Sequence, residues 1–124
     1  MMSWLKTAPL LMCIVLSACE TTSNLYYWGS YEQQLYDMYN KPGAAPAELQ
    51  IDALSTDIEK AENRGQKVAP GIHAHLGLMY ASVGNMAAAE AAFNNEKHLY
   101  PESAALLDGM LQRAYARKTQ GAAR

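Results

Sequence analysis

HAHLGLMYASVGNMAAAEAAFNNEKHLYPES, running from His73 to Ser103, is the stretch whose reading decides the fold. Its apolar residues follow helical rather than alternating spacing, and its punctuation divides it in two. One helix is expected over Gly71 to Val83, closed by Gly84. The next begins under Asn85 and stops at Pro101, whose ring nitrogen cannot donate to a helix ladder. Alanine, leucine, methionine and glutamate dominate, and all are good helix formers.

Working outward, the same punctuation marks three more helices. The first is expected to begin near Ser30, where Ser30 and Gln33 could form a capping box, and to end before Pro42-Gly43. The second starts at Pro46, a favourable first-turn residue, and reaches Asn63 with Gly65 just beyond. Its apolar face would be Leu49, Ile51, Leu54, Ile58 and Ala61, opposite Asp52, Glu59 and Lys60. The fifth starts near Glu102 or Ser103 and fades into Arg117-Lys118-Thr119-Gln120, with Leu106, Leu107, Met110, Leu111 and Tyr115 as its stripe. No segment alternates as a half-buried strand does, so the expected class is all-α, with about five helices.

The central stretch resembles a tetratricopeptide repeat, a helix–turn–helix unit of about 34 residues. His73 stands where that family often has tryptophan, and Leu76, Gly77, Tyr80, Ala89, Phe93 and Pro101 follow at its spacing, within residues 70–103. Leu76 and Tyr80 lie one turn apart and would face the partner helix. Gly77 and Ala89 are small enough for two helix axes to approach closely, while Phe93 would fill the space toward the next helix. Glu96 departs from the pattern, which usually has alanine there. The departure implies either that the fifth helix shifts outward or that Glu96 sits near an edge. One such unit cannot bury its faces alone, so the flanking helices are required: a degenerate preceding hairpin with Tyr31, Leu35, Leu54 and Ile58 in analogous roles, and a capping helix.

The chain opens differently. Lys6 precedes an apolar run from Ala8 to Leu16 that contains Pro9. The run is shorter than the about 20 residues that span a bilayer, and it reads as a secretory signal. Leu16-Ser17-Ala18-Cys19 resembles a bacterial lipobox. That resemblance implies cleavage before Cys19, a diacylglycerol on its sulfur and acylation of the new amine. Cys13 would leave with the signal, so Cys19 would have no disulfide partner, and acylation removes an unpaired thiol from an oxidising compartment. Each buried methylene of an acyl chain contributes about 0.8 kcal/mol, so several chains would hold the protein permanently. Glu20, rather than aspartate, follows the cysteine, which by resemblance to enterobacterial sorting implies the periplasmic face of the outer membrane. The expected organisation is a signal over 1–18, a lipidated tether over 19–29, a helical domain over 30–118 and a tail over 119–124.

Beyond the tether comes YYWGSYEQQLYDMY. Tyr31, Leu35 and Met38 follow helical spacing and read as core. Tyr26, Tyr27 and Trp28 are open to three readings: packing on the second hairpin, sitting at the membrane interface, or meeting a partner. With Tyr31 they form the candidate partner-binding set. Lipobox, aromatic block and helical repeat together resemble a family of Gram-negative lipoproteins of unknown function. Its members are often encoded beside a lipoprotein resembling the curli secretion channel, which implies a candidate partner.

Chemistry is sparse. His73 and His75 are two residues apart on a helix, about 200° around it, and cannot hold one ion. His98 lies a helix away without cysteine or clustered carboxylates. Asp57, Glu59 and Glu62 share a helix with Lys60 and Arg64 and read as a solvated face. No nucleophile elbow, phosphate loop, zincin motif or glycine-rich fingerprint occurs, so neither enzyme activity nor a cofactor nor a small-molecule substrate is expected. Ten basic against 12 acidic residues, a formal net charge of −2, argue against nucleic acid. The expectation is a membrane-anchored adaptor or accessory subunit in an envelope complex. A structural or chaperone-like role in outer-membrane protein assembly is the alternative.

Overall fold

The computed structural model describes residues 24–41 and 43–122. The expected signal, the expected lipobox (Leu16, Ser17, Ala18 and Cys19) and residues 20–23 of the expected tether lie outside them. Among the described residues, two short strands and five helices follow in order: β1 (Tyr26–Tyr27), α1 (Tyr31–Asn40), α2 (Ala47–Asn63), β2 (Lys67–Val68), α3 (Ile72–Ser82), α4 (Met86–Leu99) and α5 (Ala104–Ala122). A 3-10 turn at Pro101–Ser103 joins the last two helices.

The α3–α4 hairpin is the best-packed part, and its turn explains itself. Gly84 has φ +82°, which ends α3. Its amide donates to the Ala81 carbonyl, and that of Asn85 reaches back to Tyr80 at 2.9 Å. The Asn85 side chain then accepts from Ala88 N at 3.2 Å and caps α4. Between the helices, a Cβ on Gly77 would lie 2.6 Å from the Phe93 ring and 3.1 Å from the Ala89 carbonyl oxygen. Glycine is what lets the ring and that backbone come so near. Phe93, Ala89 and Leu76 are buried, while Tyr80 is half-buried against the same core. Pro101 is exposed at the start of the 3-10 turn.

Glu96 does not lie at an edge. It is 1% exposed, and its carboxylate accepts from Gly71 N at 2.7 Å and Ala74 N at 3.3 Å. No side chain from the residue preceding α3 caps that helix. Glu96 therefore satisfies two first-turn amides from the neighbouring helix and sets negative charge at the positive end of its dipole. The repeat's small-residue position has become a cap.

The buried face of α2 is rotated from the expected stripe. Gln50, Leu54, Asp57 and Ala61 are buried, whereas Leu49 is exposed. Two of those four are polar, and each has partners. Gln50 donates to the Ala45 carbonyl at 2.6 Å, and Asp57 accepts from Ser30. Asp57 is thus no part of a solvated face. In α5, Leu107 is buried, but Leu106 is exposed, and Tyr115 is partly exposed with its hydroxyl donating to Glu90 of α4 at 3.0 Å. That helix also continues past residue 118.

Three further expectations fail at the amino-terminal side. Tyr26–Tyr27 is a strand, pairing in parallel with Lys67–Val68. The folded unit therefore takes in residues expected to belong to the tether. Ser30 forms no capping box, because Gln33 bonds to Asp37 at 3.2 Å and the Ser30 side chain turns to Asp57. Tyr31, Leu35 and Met38 are half-buried rather than core, and α1 buries no residue fully.

Candidate interaction surface

β1 is held by its backbone and by its neighbours' rings. Ala69 N donates to the Tyr27 carbonyl at 3.2 Å, extending the pairing with β2. Tyr26 meets Tyr100 edge-on at 6.2 Å between ring centroids. Tyr100 is itself buried and donates its hydroxyl proton to the Val68 carbonyl, so α4's end, β2 and β1 are tied together. Burial pushes the Tyr100 hydroxyl pKa up and keeps it a donor. The Arg64 guanidinium lies over the Tyr27 ring, 5.1 Å from its centroid.

The chain then turns sharply away from the strand. Gly29 has φ +53°, and a Cβ there would collide with the Asp57 carboxyl group. That carboxylate accepts from both the backbone N and the Oγ of Ser30, each at 2.7 Å. The latch fixes where α1 begins. It also fixes Trp28, whose carbonyl accepts from Tyr31 N at 3.1 Å.

Trp28 is 42% exposed, unlike the half-buried Tyr26, Tyr27 and Tyr31. Its ring lies at 24° to that of Tyr31, with centroids 6.3 Å apart. Tyr31 in turn stands edge-on to His75 at 5.6 Å, and His75 Nε2 lies 2.9 Å from Gln50 Oε1. A continuous series of contacts therefore runs from an exposed indole to a buried amide. Desolvation holds His75 below the usual imidazole range, so it is neutral at pH 7. Burial, then the charge of Glu96, raises the Tyr31 hydroxyl. Beside Trp28 opens a cleft of about 520 Å³, with Asn24, Lys60, Arg64 and Gln66 on its walls.

Of the candidate binding set, then, only Trp28 is exposed. The histidines sit apart in role. His73 is buried where the repeat has tryptophan, and its Nδ1 has no hydrogen-bond partner; desolvation lowers its pKa. His98 is exposed. Among the described residues, no three His, Cys, Asp or Glu side chains gather as metal ligands would, and no helix is long and apolar enough to cross a membrane.

Asp57, Gln50 and Tyr100 were missed as positioning residues. For Asp57 and Gln50 the signal was present: Gln50, Leu54, Asp57 and Ala61 recur at helical period. A hydrophobicity pattern counts polar residues as outward and so discards it. Nothing in the sequence marks the Tyr100–Val68 pairing, which joins residues 32 apart.

The family described as Domain of unknown function (DUF4810) matches residues 25–110. The match begins at the start of the aromatic block and ends within α5. No curated protein and no solved structure gives a significant match to the chain.

Proposed function

We propose that this chain, which belongs to the DUF4810 family, is a lipid-anchored adaptor that recruits or supports a protein partner at the periplasmic face of the outer membrane. The observation that carries the reading is Trp28, an exposed indole held on a fixed pedestal of Tyr31 and His75 close to the site of predicted acylation. Tryptophan, tyrosine and arginine dominate binding hot spots, because they bury large areas at low conformational cost. Trp28, with Tyr26, Tyr27 and Arg64 lining the adjoining cleft, has that composition. The lipobox at Leu16 to Cys19 supports the membrane location, and Cys19 would carry the lipid. A lipoprotein resembling the curli secretion channel is the candidate partner implied by resemblance.

Co-purification of the full chain from detergent-solubilised membranes tests this reading. The wild type is expected to bring down one partner in fixed stoichiometry, and Trp28→Ala to lose it while still folding. Recovery of no partner by the wild type contradicts the adaptor role. A scatter of outer-membrane barrels, unaffected by Trp28→Ala, would point instead to a chaperone-like factor in outer-membrane protein assembly.

A further inference from the structure

A second surface lies away from Trp28, where α3 and α5 diverge. Leu78, Ala81 and Ser82 of α3 face Met110, Arg113, Ala114, Arg117 and Lys118 of α5 across a groove of about 540 Å³. The α5 residues fall at i, i+3, i+4, i+7 and i+8, so one stripe of that helix forms the wall. Leu78 is 43% exposed although it projects from the best-packed hairpin. The floor is apolar, the upper wall carries three cations, and no acidic residue lines the groove. Neither lysine nor arginine of that wall takes part in an ion pair among the described residues, whereas Lys41 and Lys97 do.

This arrangement runs against the charge of the chain, which is acidic overall. Arg113, Arg117 and Lys118, three exposed cations spread over roughly 8 Å of helix rise, concentrate positive potential over an apolar strip. A basic segment would be repelled there, and a neutral one would leave the cations unused.

We infer that the groove between α3 and α5 binds a short acidic, amphipathic segment of a protein partner, with apolar residues against Leu78 and Met110 and carboxylates against Arg113, Arg117 and Lys118. A helical segment of two to three turns, or a few extended residues, matches its length. The inference rests on the adaptor reading and assigns that adaptor a second contact of defined charge.

The test is a fluorescence-anisotropy titration of the full chain in neutral detergent. The probe is a labelled helical peptide of about 14 residues, with leucines on one face and glutamates flanking them. Saturable binding is expected, weakened about tenfold or more by Arg113→Glu with Arg117→Glu, since like charges now face each other. Arg117→Gln should give a smaller loss, Leu78→Ser should also weaken binding, and circular dichroism should show all variants folded. A peptide with lysine in place of glutamate should not bind. The proposal is overturned if the acidic peptide fails to bind, or if the charge reversal leaves its affinity unchanged. It is equally overturned if the cations prove to serve only anionic vesicles, or only self-association of the chain. Those failures would leave the adaptor reading intact as long as the Trp28-dependent partner is still recovered; loss of that partner would be a separate failure.

Discussion

Glu96 shows how a single residue can depart from a repeat pattern and still serve the same hairpin. Alanine at that position would pack, but it would leave the amides of Gly71 and Ala74 without an acceptor. Glu96→Ala should therefore cost about 2–3 kcal/mol, from the lost cap, the unsatisfied donors and the cavity. Glu96→Gln keeps one acceptor and should cost less; urea denaturation of the two variants measures the difference. Gly77 is the opposite case, a position where the sequence spoke plainly. Its Cβ site is occupied by the Phe93 ring, so Gly77→Ala should destabilise by about 1–3 kcal/mol. Adding Phe93→Leu should recover part of that loss if the ring is the obstacle. Steric positions such as Gly77 were legible because the repeat constrains residue size. Glu96 was legible only as a departure, since its role depends on a helix start that comes 24 residues earlier.

At the scale of elements, the helices and their ends could be read closely from glycine, proline and asparagine. β1 could not, because two residues carry no periodicity and their pairing with Lys67–Val68 spans 41 positions. The face of α2 was misjudged for a different reason: its buried stripe includes Gln50 and Asp57, whose partners lie on other elements. α3 carries the clearest consequence of such burial. His73 and His75 are both held below the usual imidazole value of 6.5 by desolvation, opposed in His73 by the nearby charges of Glu96 and Glu62. As pH falls through that value, the unfolded chain takes up protons that the folded chain refuses. Their contribution to stability is thus complete above pH 6.5 and declines as pH drops toward the lowered folded values. The melting temperature is expected to fall between about pH 7.5 and pH 5.5, and His73→Phe should make the slope shallower. An unchanged slope in that variant would mean that His73 titrates alike in the folded and unfolded states.

At the scale of the whole molecule, the described residues form one small helical domain. A chain of this size buries a modest core, and here that core takes in its own amino-terminal aromatics. Tyr26, Tyr27 and Tyr31 pack against the cluster around Leu54, Ile72 and Leu76. The family match beginning at residue 25 covers the same block. The all-α class could be read from the sequence. The division of Tyr26, Tyr27, Trp28 and Tyr31 into three half-buried tyrosines and one exposed tryptophan could not, because it turns on the Asp57 latch and the bend at Gly29. The anchor is a separate prediction: a fatty-acid analogue should label the full chain, and Cys19→Ser should abolish labelling and leave the precursor uncleaved. Normal cleavage and release of that variant would show that Leu16 to Cys19 is no lipobox.

The central claim is that Trp28 is left outward by a fold that does not depend on it. Chemical denaturation of the full chain with Trp28→Ala and, separately, Tyr26→Ala addresses this most directly. Trp28→Ala should cost no more than about 1 kcal/mol, the scale of one partly exposed ring contact, while Tyr26→Ala should cost about 2–3 kcal/mol through loss of packing on Tyr100 and the core. Equal losses, or a larger one at Trp28, would make the tryptophan part of the core and contradict the account.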